Sequence, residues 1–194
     1  WAGTAFEGVF TSFVATKKMQ GALPACVFGL PRLRIMNVNG NNLLGVLPTT
    51  ISPSLEKISV SRNKLSGTIS ASLATSANLV SLDLSFNHIS GNLSAFAGTS
   101  DDQLFMRKNM ALNLQINHLS GNIPNSLQNL NPIHILSGNV LACSDNRSEI
   151  PDHTTKKDSY QCGSNNMNQM MYAFGIASFV AVVILLCMNR ITAM

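Results

Sequence analysis

Leu79-Val80-Ser81-Leu82-Asp83-Leu84-Ser85-Phe86-Asn87-His88-Ile89-Ser90-Gly91 is the stretch on which the rest of the chain aligns. Its leucines alternate across Leu82 and Leu84 as the inward side of a short strand does, and an asparagine then stands among apolar neighbours. Working outward, the same pattern returns as Leu33-Met36-Val38-Asn41-Leu43 and as Leu55-Ile58-Val60-Asn63-Leu65. Leu112-Leu114-Asn117-Leu119 fits from its second position onward. Val14-Lys17-Met19 at one end and Leu136-Asn139-Leu141 at the other are weaker copies. The recurrent position therefore reads Lys17, Asn41, Asn63, Asn87, Asn117 and Asn139, at intervals of 24, 22, 24, 30 and 22 residues.

A period of roughly 20–29 residues with the form L-x-x-L-x-L-x-x-N-x-L is that of an α/β-type leucine-rich-repeat solenoid, with one short parallel strand and a turn in each of about six coils. The leucines point inward, and the asparagine turns inward to bond the backbone of neighbouring coils. Left unbonded there it would cost about 1–3 kcal/mol. Lys17 in its place suits a terminal coil with atypical packing. The composition agrees: 11% charged and 45% hydrophobic residues are unusual for a globular domain. Stacked coils explain the balance, since they satisfy internal Asn and Ser with backbone groups around a narrow apolar column.

After the asparagine comes a second recurrent string: Met19-Gln20-Gly21-Ala22-Leu23-Pro24, Leu43-Leu44-Gly45-Val46-Leu47-Pro48, Leu65-Ser66-Gly67-Thr68-Ile69, Ile89-Ser90-Gly91-Asn92-Leu93 and Leu119-Ser120-Gly121-Asn122-Ile123-Pro124. Glycine permits a tight turn, and proline ends the strand register on the convex side. This L-x-G-x-I-P extension resembles the plant-specific class of leucine-rich repeats, and the resemblance covers roughly Val9 to Cys162. It implies a receptor-like protein with repeats outside the cytosol and a C-terminal transmembrane helix. The class spans hormone receptors, co-receptors, immune receptors, enzyme inhibitors and wall proteins. The chain departs from it in lacking the paired cysteines that usually open such ectodomains. It starts at Trp1 with no basic segment followed by an apolar run, which reads as a processed or incomplete end.

The coil between Asn87 and Asn117 is about six residues over length, placing an insertion loop within 97–106; such loops emerge on one face, often beside the binding surface. Asp101-Asp102 in it lack the further carboxylates that a cation's ~6–8 oxygen ligands would need. Past the last coil, Cys143 and Cys162 are placed to tie a flap over the apolar end of the solenoid. With 18 residues between them, this disulfide is expected to contribute about 3 kcal/mol and to require an oxidising compartment. Cys26 is either a small core residue or the partner of a cysteine upstream. Cys187 lies in an apolar run, as a buried thiol or a palmitoylation site. Asn92-Leu93-Ser94 and Asn146-Arg147-Ser148 are N-glycosylation sequons.

Met170 to Met188 are all apolar or small, and at 1.5 Å per residue they reach about 28 Å, one bilayer core. Tyr172 marks one interface and Asn189-Arg190 the other, with the C-terminus opposite the repeats. Ala173, Ala177 and Ala181 share one helix face, where small residues allow a second helix to approach. The expected organisation is thus a solenoid over 1–142, a cysteine-containing cap over 143–164, a linker over 165–169, a membrane helix over 170–188 and a tail over 189–194.

The side chains beside the inward leucines form the concave face. The central row reads Asn37, Ser59, Asp83, Asn113 and Ile135; the row two before reads Ile35, Lys57, Ser81, Ala111 and Ile133; the row two after reads Asn39, Ser61, Ser85, Gln115 and Ser137. Six coils about 4.8 Å apart span only about 24 Å. The candidate contact residues are Asn37, Lys57, Ser59, Ser61, Asp83, Ser85, Asn113 and Gln115, although the same face also reads as a solvated surface. His88 and His118 follow the asparagine in neighbouring coils, and two ligands alone do not define a metal site. No linked nucleophile, base and acid and no phosphate loop occur, so no enzyme activity and no cofactor are expected. The net charge of +4 is carried by single cations, with no run beyond Lys17-Lys18 or Lys156-Lys157 and no interleaved aromatics, which argues against nucleic acid. Two readings follow: a membrane-anchored receptor-like or co-receptor-like protein that binds a protein, peptide or glycan, or a single-span accessory subunit of a larger membrane assembly. Another protein is the expected partner in both.

Overall fold

The computed structural model describes residues 12–14 (backbone path only), 19–97, 110–144, 146–154, 157–163 and 175–179. Residues Trp1–Gly163 form one compact unit and Ser164–Met194 another.

In the first unit, the strands Ser12–Val14, Ile35–Asn37, Lys57–Ser59, Ser81–Asp83, Ala111–Asn113 and Ile133–His134 form a six-stranded sheet in chain order, parallel throughout. The register stacks Met36, Ile58, Leu82, Leu112 and Ile133 into one inward column, each at most 1% exposed. Val38, Val60, Leu84, Leu114 and Ile135 form a second, and Leu43, Leu65, Ile89, Leu119 and Leu141 a third, all buried. The side away from this sheet is built from 3-10 turns at Ala25–Gly29, Ser94–Phe96 and Asn125–Leu127 and a short α-helix at Ala71–Thr75. These turns bury Phe28, Phe96, Leu127 and Leu73.

The asparagines form the expected ladder. Asn87 Oδ1 accepts the Leu65 N–H at 3.0 Å, and its Nδ2 donates to the carbonyls of Val60, Leu84 and Ser85 at 3.1, 3.1 and 3.2 Å. Asn63, Asn117 and Asn139 repeat this on Leu43, Ile89 and Leu119. Toward the N-terminal side Asn41 accepts the Met19 N–H at 3.0 Å. In every case the N–H that is captured belongs to the coil before.

Three features go beyond the repeat as read from sequence. The L-x-G strings themselves pair as strands: Gln20–Ala22 with Asn42–Leu44, and Ser90–Gly91, His118–Asn122 and Val140–Ala142 in a three-stranded sheet. Gly91 sits at φ 87°, and a Cβ there would lie 2.9 Å from Thr68 Cγ2, so a turn read as permissive is also a close approach between coils. Second, the residue before each ladder asparagine is left-handed: Gly40 (φ 68°), Arg62 (55°), Phe86 (56°), Ile116 (54°) and Gly138 (71°). For the bulky ones this costs about 1–2 kcal/mol.

The third feature corrects the alignment at both ends. Ile133 pairs with Leu112 and His134 with Asn113. Ile133 and Ile135 are therefore core residues, 0% exposed, and His134 takes the concave position assigned to Ile135. Coil six carries one extra residue, Leu136, which is absorbed by burial, and Asn139 accordingly reaches the carbonyl of Ile135, four residues back rather than three. In the first coil Val14 stands opposite Asn37, one position off the alignment on Lys17, which lies outside the described residues.

Cys143 and Cys162 are disulfide-bonded with a Cα–Cα distance of 5.6 Å. The flap they close is held by Arg147 Nη1, which donates to the carbonyls of Lys157 and Asp158 at 3.2 and 2.8 Å, and by Gly163 N–H on Leu141 O at 2.8 Å. Ile150 and Tyr160 are buried beneath it. Cys26 is exposed, so it is not the core residue of one reading, and among the described residues it has no disulfide partner. Cys187 and the insertion loop beyond Ala97 lie outside the described residues.

Of the expected membrane helix over 170–188, residues 175–179 are described, and they are helical. Among the described residues no helix is long and apolar enough to cross a membrane. Ala177 falls in this segment; Ala173 and Ala181 lie outside the described residues.

Candidate binding face

Strand alternation turns every second side chain of the six-stranded sheet away from the core. The register then sets Asn37, Ser59, Asp83, Asn113 and His134 side by side, one per coil, all half-buried. Beside them run exposed Ile35 and Lys57, then half-buried Ser81 and Ala111.

These polar groups are braced from behind by the following row. Asn39 Oδ1 accepts from Ser59 Oγ at 2.9 Å and from Ser61 N–H at 2.8 Å. Asp83 Oδ1 accepts from Ser85 N–H and Ser85 Oγ at 3.1 and 2.7 Å, and its Oδ2 lies 3.4 Å from Ser59 Oγ. Asn113 Oδ1 accepts from Gln115 N–H at 3.4 Å. The cost of this bracing is that Ser61 and Ser85 are 6% and 3% exposed, so they stand behind the face and orient it. Gln115 stays half-buried at its margin.

Between the coils of Ser81 and His134 the small side chains of Ser81 and Ala111 leave a shallow depression of about 100 Å³, bounded by Asp83, Asn113, Pro132 and His134. Lys57 and Asp83 are the formally charged residues of the described strand rows, on adjacent coils. The face offers a carboxylate, an ammonium, amides, hydroxyls and one imidazole, a set suited to hydrogen bonding a polar chain. Sequence reasoning missed His134 for the register reason given above, and an odd spacing back from Asn139 was the only signal of it.

On another side of the coils, exposed His88 and His118 stack with ring centroids 5.6 Å apart and planes within 10°. Among the described residues no three His, Cys, Asp or Glu side chains group as metal ligands. A ridge beside the concave sheet places Arg62 over the Phe86 ring at 4.8 Å. In the cap, hydrogen bonding from Ser144 holds Glu149 below the usual carboxylate range, and Lys157 does the same for Asp152, while burial pushes the Tyr160 hydroxyl up.

Residues 26–89 match the family model described as Leucine rich repeat. The fold is a leucine-rich-repeat solenoid. Among solved structures, the solenoid is similar to one from the BIR3–SERK2 complex of Arabidopsis thaliana, at 28% identity and a TM-score of 0.52 over 66% of this chain and 68% of that one. It is similar to Pollen Receptor Kinase 3 at 29% and 0.52, over 65% and 60%. It is also similar to the ectodomain of the receptor kinase SOBIR1 from Arabidopsis thaliana at 27% and 0.52, over 64% and 67%. No curated protein matches the chain by sequence.

Proposed function

We propose that this solenoid is a membrane-anchored, extracytoplasmic binding protein of receptor-like or co-receptor-like type, whose concave face recognises a protein or peptide. The observation that carries the reading is the in-register row Asn37, Ser59, Asp83, Asn113 and His134, with Lys57 beside it and Gln115 at its margin. Such a row suits an extended polar chain lying across the coils, because equivalent groups recur about every 4.8 Å. Similarity to receptor-kinase structures, one of them a complex of two proteins, supports the same reading. The Cys143–Cys162 disulfide supports an oxidising compartment. The apolar run 170–188 supplies the anchor, with Ala173, Ala177 and Ala181 as its helix-contacting face.

Purification from its own membranes in mild detergent, followed by native mass measurement, tests this. A complex of fixed stoichiometry that is lost on Asp83→Arg or Asn113→Arg and retained on Ala177→Leu is the expected result. An assembly that survives both arginine changes and is lost on Ala177→Leu would replace the concave-face reading with that of an accessory subunit docked through its helix. A chain that runs alone would remove both.

A further inference from the structure

We propose that Asn92 and Asn146 each carry an N-linked glycan, and that these two sites mark the surfaces the protein leaves out of recognition. The inference rests on the extracytoplasmic placement proposed above. The chain has 21 asparagines, and these two alone begin an Asn-x-Ser/Thr triplet with x other than proline.

The fold treats them unlike the ladder asparagines, whose Nδ2 groups are spent on buried carbonyls. Asn92 Oδ1 accepts the backbone N–H of Ser94 at 3.0 Å, and Asn146 Oδ1 accepts that of Ser148 at 3.2 Å. The same local turn therefore fixes both amides by their oxygens. Planarity of the amide then turns Nδ2, the atom to be modified, away from the turn. Both residues are exposed. Asn92 Cβ also lies beside Gly121 of the next coil, close enough that a Cβ added there would come within 3.2 Å of it. In the transfer, the Asn Nδ2–C1 glycosidic bond forms as the C1–oxygen bond of a lipid-diphosphate-linked oligosaccharide breaks. The lipid diphosphate leaves, and one amide proton is lost to base.

Neither residue belongs to the concave rows. Asn92 follows the strand Ser90–Gly91 of the three-stranded sheet, and Asn146 lies in the cap. Glycans there would cover the three-stranded sheet and the cap, and leave the row from Asn37 to His134 open.

The test is intact-mass and gel analysis of the full chain isolated from membranes of cells that produce it, before and after peptide N-glycosidase F, with the state of Cys143 and Cys162 mapped by alkylation. Two glycan increments are expected, with Asn92→Gln and Asn146→Gln each removing one. Ser94→Ala and Ser148→Ala should remove the same increments while sparing the asparagine and its backbone turn, and Ser94→Thr and Ser148→Thr should retain them. A chain with the disulfide formed and neither asparagine modified overturns the proposal on its own. A chain with both thiols free and no glycan overturns the extracytoplasmic placement and this proposal with it.

Discussion

The Tyr160 hydroxyl accepts the Leu141 N–H at 2.7 Å, which puts a phenol where a further coil would have placed a ladder asparagine. Leu141 is the counterpart of Leu43, Leu65, Ile89 and Leu119, whose N–H groups are taken by Asn63, Asn87, Asn117 and Asn139. The same hydroxyl lies 3.1 and 3.2 Å from the carbonyls of Asn139 and Leu141. Tyr160 ends the ladder by imitating its next member.

Tyr160→Phe should therefore destabilise the cap by about 1–3 kcal/mol, the cost of leaving a buried donor unmet. Amide exchange at Leu141 should accelerate while that at Leu65 stays unchanged. Equal protection at Leu141 in both proteins would remove the hydroxyl's role.

Burial raises the Tyr160 pKa above its ordinary value of 10.0. The folded state thus holds the proton more tightly than the unfolded one. The contribution is fully present below pH 10.0 and is lost as pH rises from there through the folded pKa. A phenolate absorbance titration should show Tyr160 ionising above the ordinary tyrosine value, together with cap opening on the alkaline side. Tyr160→Phe should abolish that alkaline transition.

Asn87→Ala should cost on the order of 3 kcal/mol, because it strips partners from a buried N–H and three carbonyls at once. Asn41→Ala, at a half-buried position, should cost less. Urea denaturation of the two variants gives the ranking directly, and equal midpoints would contradict a ladder whose worth grows with burial.

Ile116 is a β-branched residue at φ 54°, and the next coil has Gly138 at φ 71° in the same position. Ile116→Asn should raise stability by roughly 0.5–1 kcal/mol by relieving left-handed strain. Gly138→Ala should lower it, since its Cβ would come 2.8 Å from Ile116 Cα. Thermal unfolding midpoints moving in opposite directions are the expected result.

Much of the solenoid was legible because its determinants are local and periodic. Inward leucines and a bonded asparagine recur with the coil, and Cys143 and Cys162 fall where an open end needs closing. The two smaller sheets were not legible. Their strands, such as Gln20-Gly21-Ala22 in the two-stranded sheet and Ser90-Gly91 in the three-stranded one, are poor strand formers in isolation, and coil stacking rather than propensity pairs them. Counting from the ladder asparagine misplaced the concave row at the sixth coil because Leu136 adds a residue that leaves no mark in an apolar run. It also nominated Ser61 and Ser85, since alternation says which side a residue faces and not whether a neighbour such as Asp83 draws it inward. Tyr160 was passed over because nothing in a lone tyrosine announces that it will stand in for an amide.

The ladder is directional, since each coil's free N–H is captured by the coil that follows it. During synthesis from the N-terminus every finished coil therefore waits, with one polar group still open, for residues that the ribosome has yet to add. The last such wait, at Leu141, ends only when Tyr160 emerges some twenty residues later. A chain truncated before Tyr160 would lack the acceptor that closes the ladder at the Leu141 N–H.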